Sequence, residues 1–561
     1  MSSMIPPTDE ERQLLRFLDS VDSECETVKK TVGKNWEENI RQVRGDQWKL
    51  RRSPYFLANL IKKSLKSKIG ALTETGPQIR VQALKKGLDK SSRVLYNAGK
   101  SLFDREHTKD SIYKVSQFGM TMGCGFFNIP YDKVDDEIHI EFVDPRQVFL
   151  DPAVTEGTKI EKGQYIRIDT VLPLHDIRSR YPGRGMLVTP DEKYGTFSQG
   201  NSSTKTSLLE TILSSLPRPY RPGTVSKQGP IPRALIKEYW IKDPQVNTKG
   251  ELLFPGGRHI VRSQNIILLD EKNPYWDGGW PLVMFEWDVD FDSPWGLDEI
   301  QDLRRIQEAI NRMGDAWVRN VLLGSNFRVI ADIDALDADQ WDKLDNEAGL
   351  IIRKKPQRQF EYVPPTELGP TIPNTMASFI QLIDLLTGNM DTQGGQNPAT
   401  ESSMLDGLQM ARQTLIRSVS RRLESALERV GQKLISRIFQ YYNSDRVLLQ
   451  LGPDRDWLSY TFERLKILED DDGSPRPPKE VSKYFKDYQF LVTPGSSLAL
   501  SRVQRTMTLM QIRSATGFVP SVKRILQEAD LGDVDSMIKE GLEELTTIPS
   551  PPPAKGKSGK A

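Results

Sequence analysis

The chain has 561 residues, with 77 Lys and Arg against 76 Asp and Glu, a formal net charge of +1. That balance argues against a strongly basic nucleic-acid coat, and 37% hydrophobic with 8% aromatic residues excludes a disordered chain. At roughly 100 to 200 residues per domain, the length predicts about three to five domains or lobes. Cys25 and Cys124 are too few and too far apart for a disulfide framework, no leader-like segment opens the chain, and mean hydropathy is -0.50. No uncharged apolar run reaches the about 18 residues that cross a bilayer, so a soluble protein of a reducing intracellular compartment is expected.

The familiar chemistries are missing. The four histidines, His107, His139, His175 and His259, have no metal-ligand spacing to one another or to a cysteine. Gly119, Gly123 and Gly125 do not fit a dinucleotide fingerprint, and no GxxxxGK[ST] or GxSxG string occurs. Asp332, Asp334, Asp337, Asp339 and Asp470 to Asp472 lack the central Gly and closing Glu of a calcium loop and read as caps and turns. No catalytic residue, metal ligand or cofactor is assigned.

In chain order, residues 8 to 70 predict charged amphipathic helices, with Leu14, Leu15, Leu18 and Val21 on one stripe and Trp36, Ile40 and Val43 on another. After Gly-Asp-Gln-Trp at 45 to 48, a helix is expected from about Phe56 to Leu72, ended by Gly76-Pro77. Ile79 to Leu84 alternates like a strand, Lys90 to Phe118 reads as one helix, and Phe126 to Tyr131 with Glu137 to Val143 as a hairpin. Two Asp-Pro steps bracket a short strand within 144 to 152. Residues 183 to 232, rich in Gly, Ser, Thr, Lys and Pro, read as an exposed or mobile insertion. Further strands are expected at Ala234 to Ile241, Glu251 to Phe254, His259 to Leu269 and Leu282 to Val289.

A helix of about 39 Å then spans Asp298 to Leu323, its apolar face carried by Ile300, Leu303, Ile306, Ile310, Met313, Trp317 and Val321. Residues 325 to 372 form a small unit with the basic run Arg353, Lys354, Lys355 and Arg358, and a shorter helix follows from Asn374 to Leu386. The polar loop Thr387 to Thr400 precedes a capping box at Ser403 and Asp406. The longest helix runs from there to about Tyr442, with Leu405, Leu408, Leu415, Val419, Leu423, Leu427, Val430, Leu434 and Ile438 on one stripe. Arg412, Arg417, Arg421, Arg422 and Arg429 crowd its other faces. Val447 to Val492 is mixed, Leu498 to Leu545 reads as two or three helices, and a disordered tail is expected from Pro549.

This order of elements, with Gly-Asp-Gln-Trp at 45 to 48, Ile-Gly-Ala-Leu-Thr-Glu-Thr-Gly-Pro-Gln-Ile-Arg-Val at 69 to 81, Val-Asp-Pro-Arg-Gln-Val-Phe-Leu-Asp-Pro at 143 to 152 and Ser-Pro-Trp-Gly-Leu at 293 to 297, resembles the portal proteins of short-tailed bacteriophages. The resemblance implies a helix-rich α+β subunit: wing 1–292, stem helix 293–324, α/β clip 325–372, second stem helix 373–386, tunnel loop 387–402, long helix and further wing 403–495, crown helices 496–548 and tail 549–561. It implies a dodecameric ring at one capsid vertex of the virion, built in the host cytoplasm, around a channel for double-stranded DNA. The implied partners are the subunit itself, the terminase large subunit, the major capsid and scaffolding proteins and a tail or adaptor protein. No membrane or cofactor is implied, and the absent phosphate loop agrees with an ATPase supplied by the terminase.

A channel that conducts DNA is ill served by strong cationic contacts, because each adds counterion-release affinity that movement must undo. The uncharged Asn389, Gln393, Gln396 and Asn397 of the tunnel loop suit weak, exchangeable contacts with phosphate; a plain surface turn is the bland alternative. Arg353, Lys354, Lys355 and Arg358 of the clip suit phosphate, a motor or an adaptor, against a merely solvated edge. Trp295 and Trp317 are read as core or subunit-seam aromatics. Two other functions stay open at this point: another ring-forming neck or tail adaptor, and a metal-dependent DNA-processing enzyme using Asp332 and Asp334.

Overall fold

Helix α1 (Asp9–Arg44) starts at a capping box, in which Thr8 Oγ1 accepts from the Glu11 N–H at 3.3 Å and the Glu11 carboxylate accepts from the Thr8 N–H at 3.1 Å. It runs unbroken for 36 residues, so the two stripes of the sequence lie on one helix and face two different cores. The computed structural model describes residues 8–47, 56–73, 76–133, 135–191, 231–243, 245, 252–325, 328–332, 335–336, 355–363, 371–387, 402–451, 457–476 and 478–493. The expected crown helices, tail and tunnel loop lie outside the described residues.

After α1 come α2 (Leu60–Thr73) and β1 (Ile79–Ala83). The single helix expected at Lys90 to Phe118 is two, α3 (Asp89–Asp104) and α4 (Glu106–Met122), parted by an extended Arg105. The cause is local: Thr108 Oγ1 donates to the Leu102 carbonyl at 2.8 Å, and Thr108 N–H turns to the Arg105 carbonyl at 3.2 Å. The expected hairpin forms from β2 (Cys124–Asn128), β3 (Tyr131–Asp132), β4 (Glu137–Ile138) and β5 (Glu141–Val143), and β6 (Val148–Leu150) is the short strand between the Asp-Pro steps.

Strand β7 (Tyr165–Pro173) was not read from the sequence, yet it is central; α5 (Leu174–Arg180) and β8 (Arg233–Ile241) follow. The flank at 183–191 is not part of an exposed insertion, because Val188 is buried beside Leu174 and Ile177. Residues 192–230 lie outside the described ones. His259 to Leu269 is a hairpin, β9 (Arg258–Ser263) and β10 (Ile266–Lys272), since Gln264 takes φ +52° and reverses the chain. Leu252 makes only a bridge, and a turn at Phe254–Gly257 replaces the strand expected there.

Next come β11 (Leu282–Glu286), α6 (Ile300–Ser325), β12 (Arg328–Ala331), β13 (Phe360–Val363) and α7 (Thr371–Thr387), which begins three residues earlier than expected. Helix α8 (Ser402–Tyr441) has 40 residues and already includes Ser403, which therefore stands inside the helix rather than capping it. The chain continues through β14 (Arg446–Leu451), β15 (Trp457–Phe462), α9 (Arg464–Leu468) and β16 (Tyr488–Val492).

Two sheets carry the mixed lobe: an antiparallel five-stranded one in the order β10-β9-β8-β7-β6 and a three-stranded one, β11-β2-β5. Strands β1 and β16 pair from Ile79 with Val492 to Ala83 with Tyr488, joining the first strand of the described chain to the last. Leu423, Leu427, Val430, Leu434 and Ile438 of α8 are buried in the largest core with α2, α3 and α4. Among the described residues no helix is long and apolar enough to cross a membrane.

Helix α1 is fastened to the five-stranded sheet by charge as well as by apolar contact. The Asp22 carboxylate accepts from Arg167 at 2.6 Å, Lys237 at 2.6 Å, Tyr239 at 2.8 Å and also Arg262. Arg167 is fully buried over the Phe149 ring. Lys29 donates to the Arg146 and Val148 carbonyls, and complete burial pulls its ammonium down to about 7.

On the same sheet His259 stacks on Trp240, with centroids 4.1 Å apart, and its ring nitrogens face Glu238 at 3.0 Å and Glu271 at 3.3 Å. Burial alone would lower its pKa; the two carboxylates outweigh it and hold the imidazole up to about 9. A raised pKa means stabilisation that is full below about pH 6.5 and lost as pH rises through about 9. His259→Gln is expected to remove about 2–3 kcal/mol at pH 6 and far less at pH 9.5, measured by denaturant unfolding at the two pH values.

Candidate channel and docking surfaces

One of the strings that carried the resemblance, Ser-Pro-Trp-Gly-Leu at 293 to 297, lies where α6 leaves the sheets. Trp295 is buried, edge-on to Trp36 at 5.2 Å and to Phe126 at 6.2 Å. Gly296, at φ +68°, lies against Gly123, at φ +87°: a Cβ on Gly296 would stand 2.6 Å from the Gly123 carbonyl oxygen. Two backbones touch there, which only glycine allows. Asp298 caps α6 by accepting from the Gln301 N–H at 2.8 Å, and burial holds its carboxyl above the usual aspartate range. Glu299 pairs with Lys68 of α2.

The other strings are joints too. Gly45 ends α1 at φ +85°, Asp46 faces Arg41 at 3.3 Å, and Gln47 accepts from Asn311 of α6 at 2.6 Å. Asp144 accepts from the Arg146 N–H at 3.0 Å, and Asp151 from the N–H groups of Ala153 at 2.9 Å and Gln164 at 2.7 Å. Within 69 to 81, Ile69, Leu72 and Ile79 are buried where α2 gives way to β1.

Below this joint α6 runs beside α7, and its apolar stripe emerges from the core. Trp295 is 3% exposed, but Trp317 is 42%, Val321 53% and Leu322 42% exposed in the single subunit. The two tryptophans that the sequence treats alike therefore part company, one in the core and one on an uncovered face. Leu385 and Leu386 at the end of α7 are exposed as well.

Past α6, β12 and β13 pair from Arg328 with Val363 to Ala331 with Phe360. Of the basic run, Lys355 and Arg358 are exposed on a turn beside Gln357, which takes φ +67°, and the Lys355 N–H is tied to the Ala335 carbonyl at 3.0 Å. Arg353 and Lys354 lie outside the described residues, as do Asn389, Gln393, Gln396 and Asn397, whose loop is bracketed by Thr387 and Ser402. The structure thus brings together two of the eight site residues. Asp332 is a turn residue: its carboxylate accepts from the Gln359 N–H, and its own N–H donates to the Gln359 carbonyl, both at 3.0 Å.

The arginines of α8 divide by role. Arg422 donates to the Trp287 carbonyl at 2.7 Å, Arg429 to those of Thr158 at 3.0 Å and Met284 at 2.9 Å, so these two bind the helix to the sheets. Arg417 and Arg421 are exposed. One group that spacing missed is Asp132, Asp135 and His139, with ligand atoms within 4.8 Å of one another at the tip of a hairpin. The His107 and His139 ring centroids lie 5.7 Å apart.

A family model described as phage P22-like portal protein matches residues 24–551. The chain belongs to that family. No curated protein matches it. Among solved structures, a chain from the virion of a native gene transfer agent particle is similar at 10% identity and a TM-score of 0.39, over 88% of this chain and 93% of that one. As a portal protein, the chain is a structural, non-enzymatic component of a virion that works as a ring of subunits, with a helix-rich α+β fold. The nuclease and neck-adaptor readings fall with that membership.

The raised pKa of Asp298 gives the stability of this joint a sign. Its ionised form is disfavoured by burial, a cost absent below about pH 4 and complete once pH exceeds the folded pKa. Asn caps helices as well as Asp. Asp298→Asn is therefore expected to match the wild type at pH 3.5 and to exceed it in melting temperature at pH 7.5, as followed by differential scanning calorimetry.

Proposed function

We propose that this portal protein forms a dodecameric ring at one capsid vertex and conducts double-stranded DNA during packaging and ejection. The match of the family model over residues 24–551 carries the reading. In it, 1–292 and 403–495 build the wing, 293–324 and 373–386 the stem, 325–372 the clip and 496–548 the crown. The ring assembles in the host cytoplasm with scaffolding and major capsid proteins. The clip then receives the terminase large subunit and later a tail or adaptor protein, with Arg353, Lys354, Lys355 and Arg358 as the docking charges. The loop 387–402 offers Asn389, Gln393, Gln396 and Asn397 to DNA phosphates without fixed positive charge, which favours passage over retention. Negative-stain electron microscopy with light scattering tests the whole: rings with an axial hole wide enough for duplex DNA are expected, and a protein that stays monomeric at high concentration with scaffold present overturns it.

The uncovered stripe of α6 supports a seam between neighbouring subunits, because a ring interface buries different patches of adjacent copies and large apolar patches are rare on isolated proteins. Trp317→Glu is expected to leave the unfolding free energy of the monomer within about 1 kcal/mol of the wild type and to lower ring yield at least several-fold by size-exclusion light scattering. An unchanged yield would place Trp317 outside the seam. Deleting Gln393 to Asn397 is expected to preserve ring assembly and to reduce packaged DNA, counted as nuclease-protected genome per particle; an assembly defect would make the loop structural.

A further inference from the structure

Apolar residues in steps of three and four leave a helix with a degeneracy, since a slip of one turn, about 5.4 Å, presents nearly the same stripe to its partner. Helix α6 has that pattern in Leu303, Ile306, Ile310 and Met313. Three other residues, Gln307, Asn311 and Gly314, break it at steps of four and three, and all face the segment that joins α1 to α2.

Gln307 is completely buried and Asn311 is 3% exposed. Gln307 Nε2 donates to the Ala58 carbonyl at 2.6 Å and to Asn311 Oδ1 at 3.0 Å. Its Oε1 accepts from the N–H groups of Leu60 at 3.0 Å and Ile61 at 3.4 Å, first-turn donors of α2 that no carbonyl within that helix reaches. Asn311 Nδ2 donates to Gln47 Oε1 at 2.6 Å, and Gln47 Nε2 donates to the Gln42 carbonyl at 3.0 Å and to Asn59 Oδ1 at 3.3 Å. Asn59 closes both helices: its Nδ2 donates to the Val43 carbonyl at 3.0 Å, and its Oδ1 accepts from the Lys62 N–H at 3.1 Å. One turn on, Gly314 leaves a notch filled by Phe56, whose ring would lie 2.2 Å from a Cβ at that position.

We infer that Gln307, Asn311 and Gly314 form a register key, polar on one turn and steric on the next, that fixes the axial position of α6 against residues 42–61. A slip of one turn brings Leu303 or Ile310 to the place of Gln307, which strips Ile61 N–H of its amide partner and leaves Leu60 N–H and the Ala58 carbonyl, 3.0 Å apart, with only each other. The same slip drives Ile310 or Trp317 into Phe56. Buried amides are poor sources of stability and good sources of register, because the wrong alignment leaves them unpaired. In a ring the key makes every copy present its clip and loop at one height; that consequence rests on the reading of 293–324 as stem, whereas the key itself does not.

The test uses the full chain with spin labels at Lys62→Cys on α2 and Arg312→Cys on α6, both exposed, diluted into unlabelled protein; Cys25 and Cys124 are buried. Wild-type contacts are expected to give one narrow distance. Gln307→Leu with Asn311→Leu is expected to broaden or split it by about one helical turn, while Ile310→Ala, an apolar loss on the same helix, keeps it single. A single unshifted distance in the double variant overturns the key. Gly314→Ala, which disturbs only the notch, is the companion should the double variant not fold: exchange of the Leu60 and Ile61 amides is expected to quicken about tenfold or more, and unchanged exchange overturns the proposal. Ring formation is scored separately by light scattering, so a failed stem reading and a failed key are distinguishable.

Discussion

A helix of 40 residues with one apolar stripe cannot be stable alone, and the subunit is organised around the burial of that stripe on α8. The tightest point is Gly431, where a Cβ would stand 2.0 Å from the Phe490 ring. A glycine in mid-helix costs about 1 kcal/mol relative to alanine. Here it admits an aromatic from β16 against the helix backbone, and β16 in turn holds β1. On the opposite side Arg422 and Arg429 reach the carbonyls of residues 284 and 287, so one helix gathers the core and the three-stranded sheet together.

Much of this plan was legible because it depends on periodicity. The stripe of α8, the length of α6 and the strand at Ile79 all follow from spacing, and so does the hairpin that ends at Val143. What escaped was structure determined by polar partners. Strand β7 carries Arg167 and Asp169 among its apolar residues, a pattern that reads as surface until Asp22 of α1 is seen to answer it. The single helix expected across Arg105 failed because one threonine hydroxyl captured a carbonyl, an event with no periodic signature. The turn at Gln264 was missed for a like reason, since a left-handed residue other than Gly or Asn gives no warning.

The candidate surfaces were legible to a different degree. Trp295 and Trp317 look alike as letters on apolar stripes, and only the end of the core at α6 separates them. The strings that pointed to the family proved to be joints: a glycine pair that lets two backbones touch, Asp caps on turns, and an amide chain at the ends of α1 and α2. Such residues recur as strings because geometry constrains each of them singly. Lys355 and Arg358 are exposed basic groups on a turn, and their charge alone names no partner.

The pairing of β1 with β16 has a consequence for how the subunit is made. Ile79 must wait for Val492, roughly 400 residues later, and at about 5–20 residues per second a ribosome needs some 20–80 s to supply it. Throughout that interval the β1 edge is open, the α8 notch at Gly431 that receives Phe490 comes only late in it, and contacts this distant in sequence are slow to close even after release. The nascent chain therefore spends its synthesis as an incomplete sheet. Ring assembly, which needs finished subunits, is separated in time from translation by the chain's own topology.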